Sequence, residues 1–164
     1  MEGVSIVIDG EVVSQGEIEY EFFRHELIEA LSGRIETQPP TKEIITQIIQ
    51  LRAINLLAEL KGVVTTSDEV RERISTYRQN NESIPVFKDM VMQFGEDKFW
   101  RFEEKRYYVI LNTEKIKKDL IDVERERYKD NTDVSEDVLK YVASKKFDNL
   151  VVEAFGLLDI STSY

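Results

Sequence analysis

Cysteine is absent from this 164-residue chain, so it has no disulfide framework, no thiolate metal site and no thiol nucleophile. That absence fits a secreted protein of a Gram-positive bacterium as well as a cytosolic one. Glycine (7) and proline (3) are too scarce for a β-sandwich or a glycine-rich nucleotide fold. A basic surface is missing too: 22 Lys and Arg stand against 32 Asp and Glu, a net charge of −10. Neutralising phosphates needs the opposite balance, which argues against nucleic acid and against electrostatic docking on an anionic membrane. No signal peptide or membrane-length apolar run is visible. There is one histidine, His25, mid-helix between Arg24 and Glu26. With no second histidine or cysteine to share a metal, it reads as a surface or boundary residue.

What is present is helical. Ile44 to Leu60, IITQIIQLRAINLLAEL, carries apolar residues around most of a helix circumference rather than on one stripe. At about 1.5 Å per residue it spans on the order of 25 Å, and it reads as a buried central helix on which the others pack. Thr41 reads as its cap, Glu43 complements its dipole, and Lys61-Gly62 supplies the stop. Before it, Val4 to Ser14 alternates around Asp9-Gly10, the dipeptide of a two-residue hairpin turn. Ser14 with Glu17 is a capping box for a helix to about Leu31, striped by Ile18, Phe22, Phe23, Leu27, Ile28 and Leu31. Pro39-Pro40 makes a rigid loop.

After it, Thr66 with Glu69 opens a helix striped by Val70, Ile74 and Tyr77, and Asn80 to Glu82 reads as a loop. Ser83 is expected to cap a short helix holding Val86, Phe87, Met90, Val91 and Phe94, which Gly95 breaks. Lys98 to Lys129 is the longest pattern, with a seam of Phe99, Phe102, Val109, Ile116, Leu120 and Val123. Its thinner second half either projects from the core or pairs with one other helix. Ser135, Glu136 and Asp137 begin a last helix through Val138, Leu139, Val142 and Ala143. The tail Phe147 to Ile160 reads either as more helix or, over Leu150 to Phe155, as a strand beside the hairpin. The fold class is therefore mostly α: one small helical bundle over residues 1–164 with an N-terminal β-hairpin and a long helix.

Catalytic signals are absent. No G-x-S-x-G, P-loop or dinucleotide fingerprint occurs, and Ser and Thr fall at caps. Asp130, Asp133, Glu136 and Asp137 fail the EF-hand spacing, because Val134 and Ser135 stand where a ligand and the turn glycine belong. Glu103-Glu104, and Glu124 with Glu126, read as solvated helix faces. Asn81-Glu82-Ser83 matches a glycosylation triplet of the kind that arises by chance.

The order of elements resembles the N-terminal domain of the SurA/PrsA-type foldases. IDGEVVSQGEIE is similar to that family's V-N-G-x-x-I-T-x-x-E, at Ile8, Asp9, Gly10, Glu11, Val13, Ser14 and Glu17. IIQLRAINLLAELKGVVTTSDEVRERI resembles its L-I-x-x-x-L-L-x-x-x-A-x-x-x-G-I-x-V-T-x-x-E-V helix, at Ile48, Ile49, Leu56, Leu57, Leu60, Gly62, Val63, Val64, Thr66, Glu69, Val70 and Ile74. Phe99 to Leu111 resembles the long helix of Gram-positive members. The likeness covers about residues 4 to 130. It implies an extracytoplasmic, non-enzymatic chaperone module that cradles unfolded or extended polypeptide, its signal or anchor lying outside this chain. The parvulin prolyl-isomerase domain often found in that family has no counterpart here: few residues follow the long helix, and parvulin sites usually use two histidines. No cofactor is expected.

The segment Phe87 to Tyr108 exceeds ordinary core-making, with nine Met and aromatic residues. The simpler reading has them close the core over the central helix, as expected for Phe99 and Phe102. The functional reading has Phe87, Met90, Phe94, Trp100, Tyr107 and Tyr108 line an apolar, adaptable groove. Neighbouring positions such as 99 and 100, or 107 and 108, cannot both face one partner helix, so at least Trp100 or Tyr108 must point elsewhere. The alternative function is a dedicated interaction or assembly domain, in which that face and the seam from Ile116 to Tyr128 serve one fixed partner, a second copy in a helix-exchanged homodimer being one form of it.

Overall fold

A computed structural model describes residues 3–34 and 38–164. The described residues form β1 (Ser5–Ile8), β2 (Glu11–Val12), α1 (Gln15–Leu31), α2 (Thr41–Lys61), α3 (Ser67–Asn81), α4 (Pro85–Phe94), α5 (Glu96–Arg127), α6 (Glu136–Gly156) and β3 (Ile160–Ser163). The protein is mostly helical, with a small antiparallel sheet in the order β2-β1-β3.

The hairpin turns at Asp9-Gly10, where both residues take positive φ (50° and 82°), as the tight two-residue turn requires. Val7 pairs with Val12 and Ile8 with Glu11. The other edge of β1 receives the end of the chain, with Ile6 opposite Thr162 and Ile8 opposite Ile160. Asp9 fastens that pairing: its N–H donates to Asp159 O and its carboxylate accepts from Asp159 N–H, both at 2.8 Å. The tail therefore does both things the sequence left open, on different residues. Leu150 to Phe155 is helical because Phe147, Val151 and Ala154 recur at helical spacing and are all buried. The strand comes after it.

Several caps fall where the sequence puts them. Ser14, Thr66 and Ser135 accept from the N–H three residues on, and Gly62 ends α2 in the left-handed region at φ 68°. Two do not. Thr41 is the first residue of α2 rather than its cap; Pro40 precedes it and offers no side-chain acceptor. Ser83 does not cap α4 either. Ile84 holds that position and Pro85 opens the helix, where its missing N–H costs nothing. Asn80 and Asn81 are still helical, not loop.

The buried residues fall into three groups. Ile44, Ile45, Ile48 and Ile49 of α2 lie under the sheet with Ile6, Ile8, Ile18 and Phe22. Farther along, Ala53, Ile54, Leu57 and Ala58 meet Ile116 of α5 and Phe147 and Val151 of α6. The third group is aromatic: Tyr20, Phe87, Phe99, Trp100 and Phe102, from α1, α4 and α5. Thus the aromatics close over α5 and α1, not over α2. The second half of α5 does not project free; it lies along α6 and α2. Ile28 and Leu31 of the expected α1 stripe are exposed, and Tyr20 and Glu21 are buried instead, because α1 is covered on two sides.

Candidate functional site

Two clefts open on the helical body. The first, of about 420 Å³, lies between the end of α3, α4 and the start of α5. Phe87, Val91 and Trp100 line it; all three are at least nine-tenths buried. Met92 stands at its lip, 62% exposed, beside Lys88 and Glu82. Arg78 reaches over the opening. Its guanidinium sits 5.0 Å from the Trp100 ring centroid, donates to Glu96 at 2.9 Å and to Glu82 at 3.3 Å. Behind Trp100 the ring of Phe99 meets it edge-on at 4.9 Å, and Tyr77 does so at 5.9 Å. That packing fixes the indole at the base of the cleft, with the Arg78 guanidinium over its ring.

The six residues expected to form one groove are divided. Phe87 and Trp100 share this cleft. Met90, Phe94 and Tyr107 are half-buried against the aromatic core; Phe94 stacks on Phe23 at 4.3 Å and Tyr107 leans on Tyr77 at 5.5 Å. Tyr108, 38% exposed, faces the second cleft. Of the pair Trp100 and Tyr108, Tyr108 is the one that points away.

The second cleft, of about 590 Å³, lies between α1, α2, α5 and the start of α3. Its walls mix apolar side chains with charges, and the charges are paired across helices. Arg106 donates from Nη1 to both oxygens of Glu21, 3.0 Å each, with both residues buried. Arg52 donates to Glu17 at 2.7 Å. Burial pushes the Glu21 carboxyl above its ordinary range, against the pull of Arg106.

Beside this cleft, Glu103 lies fully buried on α5. Its Oε1 accepts from the Tyr20 hydroxyl at 2.5 Å and from Arg24 Nε at 2.9 Å, while Oε2 has no partner among the described residues. Burial, and then the Glu103 charge, push the Tyr20 phenol far above its usual value; the same two causes raise Tyr77 and Tyr107. Glu103 and Glu124 are thus not solvated, as their positions among charges suggested. Glu103 faces α1, and Glu124, also fully buried, is held by Lys146 of α6. Glu104 and Glu126 are the exposed members of those pairs. A signal for this exists in the sequence. Glu103 and Arg106 fall at i+4 and i+7 from Phe99, and Glu124 at i+8 from Ile116, in phase with the buried seam.

His25 is half-buried, and among the described residues no three His, Cys, Asp or Glu side chains gather to hold a metal. Asp130 and Asp133 are exposed, and Glu136 forks onto Arg125 at 3.0 Å for both bonds. No family model matches the chain, and no curated protein or solved structure is significantly similar to it.

Proposed function

We propose that this chain is a non-enzymatic, foldase-like chaperone module that binds unfolded or extended polypeptide at the cleft between α3, α4 and α5. The observation that carries the reading is a fixed aromatic floor, Phe87 and Trp100, nine-tenths or more buried at the base of the cleft, beneath an exposed and adaptable lip, Met92. A fixed apolar floor with a flexible methionine rim suits many apolar side chains at low specificity. The net charge of −10 keeps such a surface soluble and favours basic clients. The resemblance of the hairpin, α1, α2 and α3 to the SurA/PrsA-type foldases supports the same reading, and an extracytoplasmic location belongs with it. No described helix is long and apolar enough to cross a membrane.

Trp100 is the only tryptophan and lies in the cleft, so its emission reports on binding directly. Titration with a panel of unrelated unfolded peptides is expected to give sequence-tolerant shifts with micromolar midpoints, about 8 kcal/mol of binding. Met92→Ser, at an exposed site, is expected to weaken all of them. A flat response across the panel overturns the reading. A mass that doubles with concentration in light scattering, together with a Trp100 response to dilution alone, would assign the face to a second copy instead.

A further inference from the structure

We propose that the outer face of α6 docks a second copy of this chain, laid antiparallel so that α6 pairs with α6. Leu139, Ala143, Phe147, Val151 and Ala154 turn one side of this helix into the core. Val138, Tyr141, Lys145, Asp148 and Val152 are all exposed on the opposite side. At about 3.6 residues per turn they fall within about 80° of arc. Their spacing alternates three and four, the repeat of a coiled-coil seam, yet no helix of this chain covers them. The apolar members stand well out into solvent: Val138 is 47%, Tyr141 64% and Val152 71% exposed.

The order of charges along the seam selects its occupant. Reversing the helix about the midpoint between residues 146 and 147 sets Lys145 of each copy opposite Asp148 of the other, and Tyr141 opposite Val152. Charge then meets opposite charge and apolar meets apolar, twice over, which is the self-complementarity a two-fold interface requires. Parallel pairing would instead bring lysine against lysine and aspartate against aspartate. The Lys145 Nζ already lies along the seam, 5.6 Å from the Tyr141 ring centroid. These five residues carry no net charge in a chain of −10, so repulsion between two acidic copies acts mainly at longer range, where salt screens it. From Val138 to Val152 the seam runs about 21 Å. One helix face of that length covers well under the roughly 800 Å² per partner of a standard interface, so the dimer is weak, with a midpoint on the order of 100 µM. The seam shares no residue with the polypeptide cleft and does not rest on that reading.

The test is sedimentation equilibrium of the full chain from about 10 µM to about 1 mM, with Trp100 emission read on the same samples. A monomer–dimer equilibrium with unchanged emission is expected. Lys145→Asp replaces two attractive contacts by two repulsive ones and is expected to weaken the dimer at least about tenfold, as is Asp148→Lys. The swapped pair Lys145→Asp/Asp148→Lys restores both contacts and should regain most of the loss. The two single variants, mixed, should associate more tightly than either alone, because each supplies the charge the other lacks. A chain monomeric throughout, a dimer indifferent to the single changes, or a swapped pair as weak as the singles would each overturn the proposal. So would Trp100 emission that changes on dilution, which would place the contact on the other face.

Discussion

The Tyr20–Glu103–Arg24 cluster makes a quantitative prediction about the core. Glu103 is fully buried, Tyr20 is 2% exposed, and one carboxylate oxygen receives both donors. Tyr20→Phe removes a hydrogen bond to a charged acceptor and strips Glu103 of one of its two donors. Such bonds are worth about 1.5 to 3 kcal/mol, and the loss is expected to fall in that range. Glu103→Leu is more severe. It relieves the burial of the carboxylate but leaves the Tyr20 hydroxyl unsatisfied and the Arg24 guanidinium unpaired, its side chain only 16% exposed. Breaking one side of a buried pair costs about 3 to 5 kcal/mol.

The double variant Tyr20→Phe/Glu103→Leu deletes both ends of the shortest bond, so its loss is expected to be smaller than the sum of the singles by about 1 to 3 kcal/mol. Adding Arg24→Met makes the site wholly apolar and should recover much of the stability, because three well-packed apolar side chains replace an ionic cluster with an unpartnered oxygen. Guanidinium unfolding followed by far-ultraviolet dichroism measures all four, with unchanged slopes required for the comparison. Losses that add to within about 0.5 kcal/mol would refute the coupling. A stabilising Glu103→Leu single variant would refute the burial argument itself.

Alkali is expected to unfold the protein through the same region. The phenols of Tyr20, Tyr77 and Tyr107 are held above the ordinary 10.0, chiefly by burial. Their contribution to stability is therefore intact below pH 10 and is lost as the pH rises through the folded-state values, because the unfolded chain releases protons the native one keeps. Tyrosinate absorbance should rise for these three only together with unfolding, and Tyr77→Phe should make the alkaline limb shallower; early, non-cooperative ionisation of all seven tyrosines would contradict this. At the end of α2, Gly62→Ala places a side chain at φ 68° with open space around it, so strain alone acts. A loss of about 1 kcal/mol in urea unfolding is expected, with Gly62→Asn less harmful.

Local chemistry made much of the fold readable. Asp9-Gly10 specifies its turn whatever lies elsewhere, and Ser14, Thr66 and Ser135 satisfy N–H groups three residues away. β3 was not readable, because ISTS carries no alternating pattern of its own. Its pairing depends on β1 and on Asp9 meeting Asp159, 150 residues apart in sequence. Candidate site residues divide the same way. Helical geometry alone separates Phe99 from Trp100 and Tyr107 from Tyr108, each pair adjacent on α5. Which of Glu103 and Glu104 is buried depends on where Tyr20 and Arg24 of another helix stand.

The most instructive difference concerns which helix organises the chain. Apolar content singles out α2, and its buried isoleucines do support the sheet. Yet α5 is the helix that packs on all five others, while α2 packs chiefly on α1, α5 and α6. A helix surrounded by like neighbours can be uniformly apolar, as α2 is. A helix that contacts five differently oriented partners meets each along a short stretch, so its apolar residues are spread thinly and its charges are neutralised by Arg24, Glu21 and Lys146 reaching across. Averaged over 32 residues, that looks like a solvated helix. Both clefts are walled by α5, at Trp100 on one side and Arg106 and Tyr108 on the other. Both cleft walls therefore belong to a helix whose composition resembles a core far less than that of α2 does.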